Sequence, residues 1–233
     1  MTWSIVARDS SGAFGVAVAS KAFAVGALCP HARSGVGALS TQALVNPNYA
    51  SPALDLLAEG SSPLEVIRLL VTPDEGRDHR QLHLVDRSGR TASHTGSKCV
   101  QWCGHIGGAT FSVAGNMLAG ERVIRDTAAA FRDSKKPFAE RLIAALEAGE
   151  AAGGDKRGRQ SAALLVFSNE QYPDLDLRVD DHAEPIAELV RLYDKAHERF
   201  VPYLKCSPSK ARPWGITERS VIEQEIARHK KPA

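Results

Sequence analysis

The stretch Phe14-Gly-Val-Ala-Val-Ala-Ser20 limits the possible folds more than any other part of this chain. Its residues are small or apolar at both alternate sets of positions, so neither face of the strand is built for water. Such a strand requires covering layers on both sides of its sheet. Upstream stand the apolar run Ile5-Val6-Ala7 and then Asp9-Ser10-Ser11-Gly12, whose side-chain oxygens bond local backbone and whose glycine tolerates positive φ. Two β-prone runs around such a cluster predict a hairpin over Thr2–Lys21.

The remaining chain reads as further strand pairs and helices. Ala22–Arg33 is expected to be a loop broken by Pro30, and Gly35–Leu44 a buried strand. Ser51–Ala58 is expected to be a helix stopped at Gly60, and Ser62-Pro63-x-Glu65 opens another. Gln81–Val85 and Thr91–Thr95 form a hairpin around Asp86-Arg87-Ser88-Gly89. Val100–His105 pairs with Thr110–Ala114, and helices are expected at Glu121–Arg132, from Pro137 to Ala148, and at Pro185–Val201. Ser161–Phe167 and Leu177–Val179 complete the strands. Strands arriving in pairs, without regular alternation with helices, indicate an α+β fold with mainly antiparallel sheets. We expect one domain over 1–205 and a Pro-, Lys- and Arg-rich tail over 206–233.

Thr2 carries the sharpest chemical possibility. Initiator methionine is generally removed when a small residue follows it, which would give Thr2 both a hydroxyl and a free α-amine. An α-amine titrates near pH 8, within the range where a general base works. It can therefore activate the hydroxyl of its own residue as a nucleophile. Lys21, at the far end of the partner strand, is expected near the start of the first strand, where its charge would favour the neutral amine. Alternation puts Ser4 on the same strand face as Thr2, where it either assists the amine, positions a water or is a hydrogen-bonded core residue.

The runs Thr2-x-Ser4-Ile5-Val6-Ala7-x-Asp9 and Gly15-Val16-Ala17-Val18-Ala19-Ser20-Lys21-x-Phe23-Ala24-Val25-Gly26 resemble domain-of-unknown-function family 1028 (DUF1028), which is grouped with the N-terminal nucleophile (Ntn) hydrolases. Thr41-Gln42, Asn46-Pro47-x-Tyr49, Ala114-Gly115-Asn116-Met117-Leu118 and Gly154-Asp155-Lys156-Arg157-Gly158-Arg159-Gln160-Ser161 agree with it. The resemblance implies a four-layer αββα sandwich and amide-bond hydrolysis by Thr2. By analogy with Ntn hydrolases, Asn116 and backbone N–H groups would hold the oxyanion, although an Asn at a strand end also serves as a turn residue. Arg157 or Arg159 would recognise a substrate carboxylate, with Asp155 orienting Lys21 or the amine or recognising a substrate ammonium group. Gln42 joins these substrate-binding candidates through its motif. The expected reaction is cleavage of an amide or ureido C–N bond in a small substrate. Alternatives are a threonine peptidase or isoaspartyl-type hydrolase, and a non-catalytic ligand-binding protein on the same scaffold.

Composition removes other classes. The formal charge of +2 and 6% aromatic content provide no basic, base-stacking surface for nucleic acid. No apolar run is long enough to span a bilayer and no secretion signal is legible, so a cytoplasmic address is expected. The four cysteines are expected to be free thiols. Cys99-x-x-x-Cys103-x-His105 lacks zinc spacing and a fourth ligand, so neither a metal nor another cofactor is expected. His83 and His94 fall in strands and read as packed histidines. A homodimer is expected on the ground that sheet edges need cover.

Overall fold

The computed structural model describes residues 2–229. In chain order its strands are Thr2–Arg8 (β1), Phe14–Ser20 (β2), Pro30–Arg33 (β3), Gly37–Ala43 (β4), Arg80–Asp86 (β5), Thr91–Thr95 (β6), Gly104–Gly108 (β7), Phe111–Asn116 (β8), Ser161–Phe167 (β9) and Leu175–Val179 (β10). The helices are Ala50–Ala58 (α1), Pro63–Val71 (α2), Arg122–Asp133 (α3), Phe138–Ala151 (α4), Pro185–Glu198 (α5), Phe200–Leu204 (α6) and Arg219–His229 (α7). One sheet has the order β10-β9-β2-β1-β8-β7 and the other β3-β4-β5-β6, both antiparallel throughout.

Burial on both faces of β2 follows from its place in this stack. On one side of the larger sheet, Trp3, Ile5, Ala7, Ala17 and Ala19 pack against Val123, Ile124 and Phe131 of α3, Leu142 and Leu146 of α4, and Leu189 of α5. On the other side, Val6, Phe14 and Val16 meet Ala38 and Val85 of the smaller sheet. The outer face of the smaller sheet, with Leu39, Leu82 and Leu84, is covered by Leu54 and Leu57 of α1 and Val66 and Ile67 of α2. The result is a four-layer αββα sandwich of α+β class. No helix among the described residues is long and apolar enough to cross a membrane.

Local chemistry explains where the elements start and stop. Ser62 caps α2 by accepting the Glu65 N–H at 3.3 Å, with Pro63 at the first helical position. Four sequence expectations are corrected. Part of the expected Ala22–Arg33 loop is β3, an edge strand on β4 whose Pro30 occupies the first position, where a missing N–H costs no ladder bond. The Val100–His105 strand starts later, at Gly104, and β8 runs past Ala114 to Asn116 because β1 continues to pair with it. The expected Pro185–Val201 helix divides at Arg199 (φ −148°), since Pro202 cannot accept a helix through the carbonyl four residues before it. Beyond residue 205 the chain forms α7 against α6, with Ile226 buried.

Candidate functional site

The space between the two sheets changes character along the strands. At one end it is apolar, with Val6, Ala38 and Val85. Two residues along each strand stand Ser4, Ser40 and His83, and two further on stand Thr2, Gln42 and Gln81. Asn116, opposite Thr2 in the ladder, closes the same polar end. Ser4, Ser40, Gln42, Gln81, His83 and Ser112 are fully buried, and Thr2 and Asn116 nearly so. A buried polar group without a partner costs about 1–3 kcal/mol, so a seam of this kind must be fully bonded.

Gly104 and Gly115 determine how it is bonded. Their carbonyl oxygens can only accept, and Gln81 Nε2 donates to them at 3.1 and 2.9 Å. Thr95 Oγ1 lies 2.9 Å from the same nitrogen, so its two protons are shared among three acceptors. Gln81 Oε1 must then face inward, where it accepts from Gln42 Nε2 at 2.7 Å and Asn116 Nδ2 at 3.1 Å. Both amide nitrogens also approach Thr2 O, at 3.4 and 3.5 Å. Gln42 Oε1 is left to accept the Ser4 hydroxyl at 2.6 Å. With its proton given away, Ser4 Oγ accepts from His83 Nε2 at 2.8 Å. The bare Nδ1 of His83 then accepts from Ser112 Oγ at 3.1 Å, and Ser112 in turn from Ser93 at 2.9 Å. Burial, followed by His105, lowers the pKa of His83 to about 3. His83 is therefore the neutral imidazole that this scheme needs.

Thr2 Oγ1 lies 3.1 Å from Ser20 Oγ on β2. Asn116 is also part of the wall of a cleft of about 320 Å³, shared with Ala43, Leu44, His79, Lys98, Cys99, Val100, Met117 and Arg157. Among the described residues, no acidic side chain lines it. Ala43 and Met117 hold left-handed backbone (φ 70° and 54°), a conformation a non-glycine residue adopts at a cost of about 1–3 kcal/mol. Burial raises the pKa of the Cys99 thiol, which donates to Arg80 O at 3.3 Å, so the wall presents no thiolate.

The structure brings together Thr2, Ser4, Gln42 and Asn116, and puts Arg157 on the same cleft as Asn116. Asp155 is buried beside them, accepting the backbone N–H of Lys21 at 2.8 Å, that of Arg157 at 2.9 Å, and the Arg157 guanidinium at 3.2 Å. The Lys21 ammonium is exposed and donates to Arg159 O at 3.1 Å. Arg159 itself pairs with Glu150 and Glu184 and does not line the cleft. Gln81, Ser20 and Ser112 were not among the sequence candidates. A polar face on an alternating strand ordinarily reads as facing solvent, whereas here it faces a second sheet.

The model of the family of unknown function DUF1028 matches residues 2–189. Among solved structures, the protein SPO2555 from Silicibacter pomeroyi, of that family, is 32% identical over 94% of this chain and 96% of its own, with a TM-score of 0.87. Anbu (ancestral beta-subunit) from Yersinia bercovieri aligns over 89% of this chain and 98% of its own at 12% identity, with a TM-score of 0.38, too low to compare sites. No curated protein matches.

Proposed function

This chain belongs to the DUF1028 family, and on that premise we propose that it is an Ntn-type amidohydrolase that cleaves an amide or ureido C–N bond after removal of Met1. One observation carries the reading. Thr2 begins a central strand, its hydroxyl lies in the buried polar seam, and its ladder partner Asn116 lines the cleft. In the free chain, the Thr2 amine takes the proton from Oγ1 as the oxygen attacks the substrate carbonyl carbon. The same amine returns that proton to the leaving nitrogen. Water, deprotonated by the amine, then resolves the acyl-enzyme.

Asn116 supplies an oxyanion donor. One N–H is held by Gln81, and the other makes only the 3.5 Å contact to Thr2 O, which is cheaply exchanged for a developing negative charge. Arg157, fixed by Asp155 on the cleft wall, recognises a substrate carboxylate. Lys21 acts chiefly through its backbone N–H on Asp155, because solvent screens the field of its exposed ammonium at the amine. Arg159, engaged by two carboxylates, takes no part. A cleft of about 320 Å³ suits a small molecule better than a peptide chain.

Intact-mass measurement and labelling with a small carbonyl-directed electrophile test the reading together. The mature protein should lack Met1 and carry the label on Thr2. Thr2→Ala should abolish labelling and reduce turnover of any substrate found by at least about a thousandfold. A protein that retains Met1, or that is labelled at Cys99 with Thr2 untouched, would leave the scaffold as a ligand-binding protein.

A further inference from the structure

We infer that Gln81 is a positioning residue for the Thr2 site: pinned by the carbonyl oxygens of Gly104 and Gly115, it sets the direction of every hydrogen bond in the seam and so turns the amides of Gln42 and Asn116 with their N–H groups towards Thr2. The inference rests on the proposed role of Thr2 for its catalytic meaning, though not for its geometry.

The argument is one of satisfiability. If the Gln81 amide were reversed, Oε1 would face Gly104 O and Gly115 O, three acceptors together at a fully buried side chain. Its NH2 would then face Gln42 and Asn116, and both of those amides would have to reverse as well. Asn116 would offer Thr2 a carbonyl oxygen, which repels an oxyanion. Gln42 would offer Ser4 an N–H, so the Ser4 hydroxyl would be free to donate to a bare His83 Nε2. That is the arrangement of an activated serine. The observed direction prevents it: the Ser4 proton is committed to Gln42 Oε1, which also receives Ser40 Oγ at 3.3 Å. Gln81 thereby makes Asn116 a donor and keeps Ser4 from competing with Thr2 as nucleophile. Gln81 touches neither the cleft nor the reacting atoms, and acts through these two amides.

Two measurements on the full-length protein judge this. The first is 15N NMR of histidine-labelled protein near neutral pH. His83 should be neutral with its proton on Nε2, and a proton on Nδ1 would overturn the direction assigned here, whatever Thr2 does. The second is the rate of Thr2 labelling in Gln81→Glu and Gln81→Met. A glutamate at 81 can donate to the carbonyl oxygens only while protonated. Labelling in Gln81→Glu should therefore be at least tenfold slower than in the parent protein at about pH 8 and recover as pH falls. The parent should show the opposite slope, because acid protonates the Thr2 amine. Gln81→Met, which keeps the volume and loses both hydrogen-bonding groups, should be slow at every pH. Parent-like rates and slope in Gln81→Glu would refute the positioning role. Absence of Thr2 labelling in the parent protein would instead refute the nucleophile assignment, with the His83 tautomer still deciding the direction of the network.

Discussion

His83 shows how much a single side chain in the seam is asked to do. In the direction assigned to the seam it donates from Nε2 and accepts at Nδ1 while fully buried, and burial lowers its pKa to about 3 from an ordinary value of 6.5. The consequence for stability has a definite sign. As pH falls below 6.5 the unfolded chain takes up the proton first, while the folded chain resists until about 3. Stability is therefore complete above that window and declines through it, at about 1.4 kcal/mol per pH unit. By pH 5 the loss from this residue should reach about 2 kcal/mol. His83→Gln keeps one donor and one acceptor but cannot titrate, so urea denaturation from neutral pH to about pH 4 should show a shallower fall than in the parent protein. Reading the sequence identifies His83 as packed, because imidazoles in strands usually are. It does not identify Gln81, since nothing local distinguishes a glutamine aimed at solvent from one aimed at another sheet. The distinguishing signal lies in the order of residues on one face. Thr2-Ser4-Val6, Gln42-Ser40-Ala38 and Gln81-His83-Val85 each pass from polar to apolar in the direction that stacking later brings into line.

At the scale of elements, β6 and β9 fall where the sequence puts them, Thr91–Thr95 and Ser161–Phe167, because turn residues or glycines bound both runs. The edge strand β3 is not legible, since four residues beginning with proline carry no period. The approach of α4 to β1 is equally invisible locally. Gly149 lies within α4, a position that costs about 1 kcal/mol relative to alanine on propensity alone. The reason is packing: a Cβ there would lie 2.4 Å from Thr127 Oγ1 and 2.6 Å from Trp3 Nε1. Thr127 cannot swing away cheaply, because its hydroxyl donates to Val123 O at 2.7 Å, and Trp3 is fully buried. Overpacking of about 1–3 kcal/mol exceeds the propensity gain. Gly149→Ala should therefore lower stability by about 1 kcal/mol, read as a lower thermal midpoint, although it improves an isolated helix.

Across the whole molecule, the helices differ in how clearly the sequence marks them. α1 and α2 are legible because proline and serine mark their starts, while the chain beyond residue 205 reads only as a basic tail. The family match ends at residue 189, yet α6 and α7 lie beyond it. What α7 adds can be weighed. It buries one large apolar side chain, Ile226, worth about 2–3 kcal/mol. Its Arg199–Glu223 ion pair is exposed and screened by solvent, so it adds little. The Tyr172 hydroxyl also donates to Pro208 O at 2.7 Å, near the surface. None of these groups belongs to the core that packs α3, α4 and α5 on the larger sheet. A chain ending at Cys206 should therefore unfold in one transition, with a thermal midpoint about 10 °C lower at about 3 kcal/mol of lost stability. Thr2 labelling should stay within about twofold of the full chain, since every seam residue precedes the cut. Calorimetry and labelling of the shortened protein check both halves. A failure to fold would make α7 part of the domain itself, and slower labelling in a folded chain would tie the segment beyond Cys206 to the Thr2 end of the sandwich.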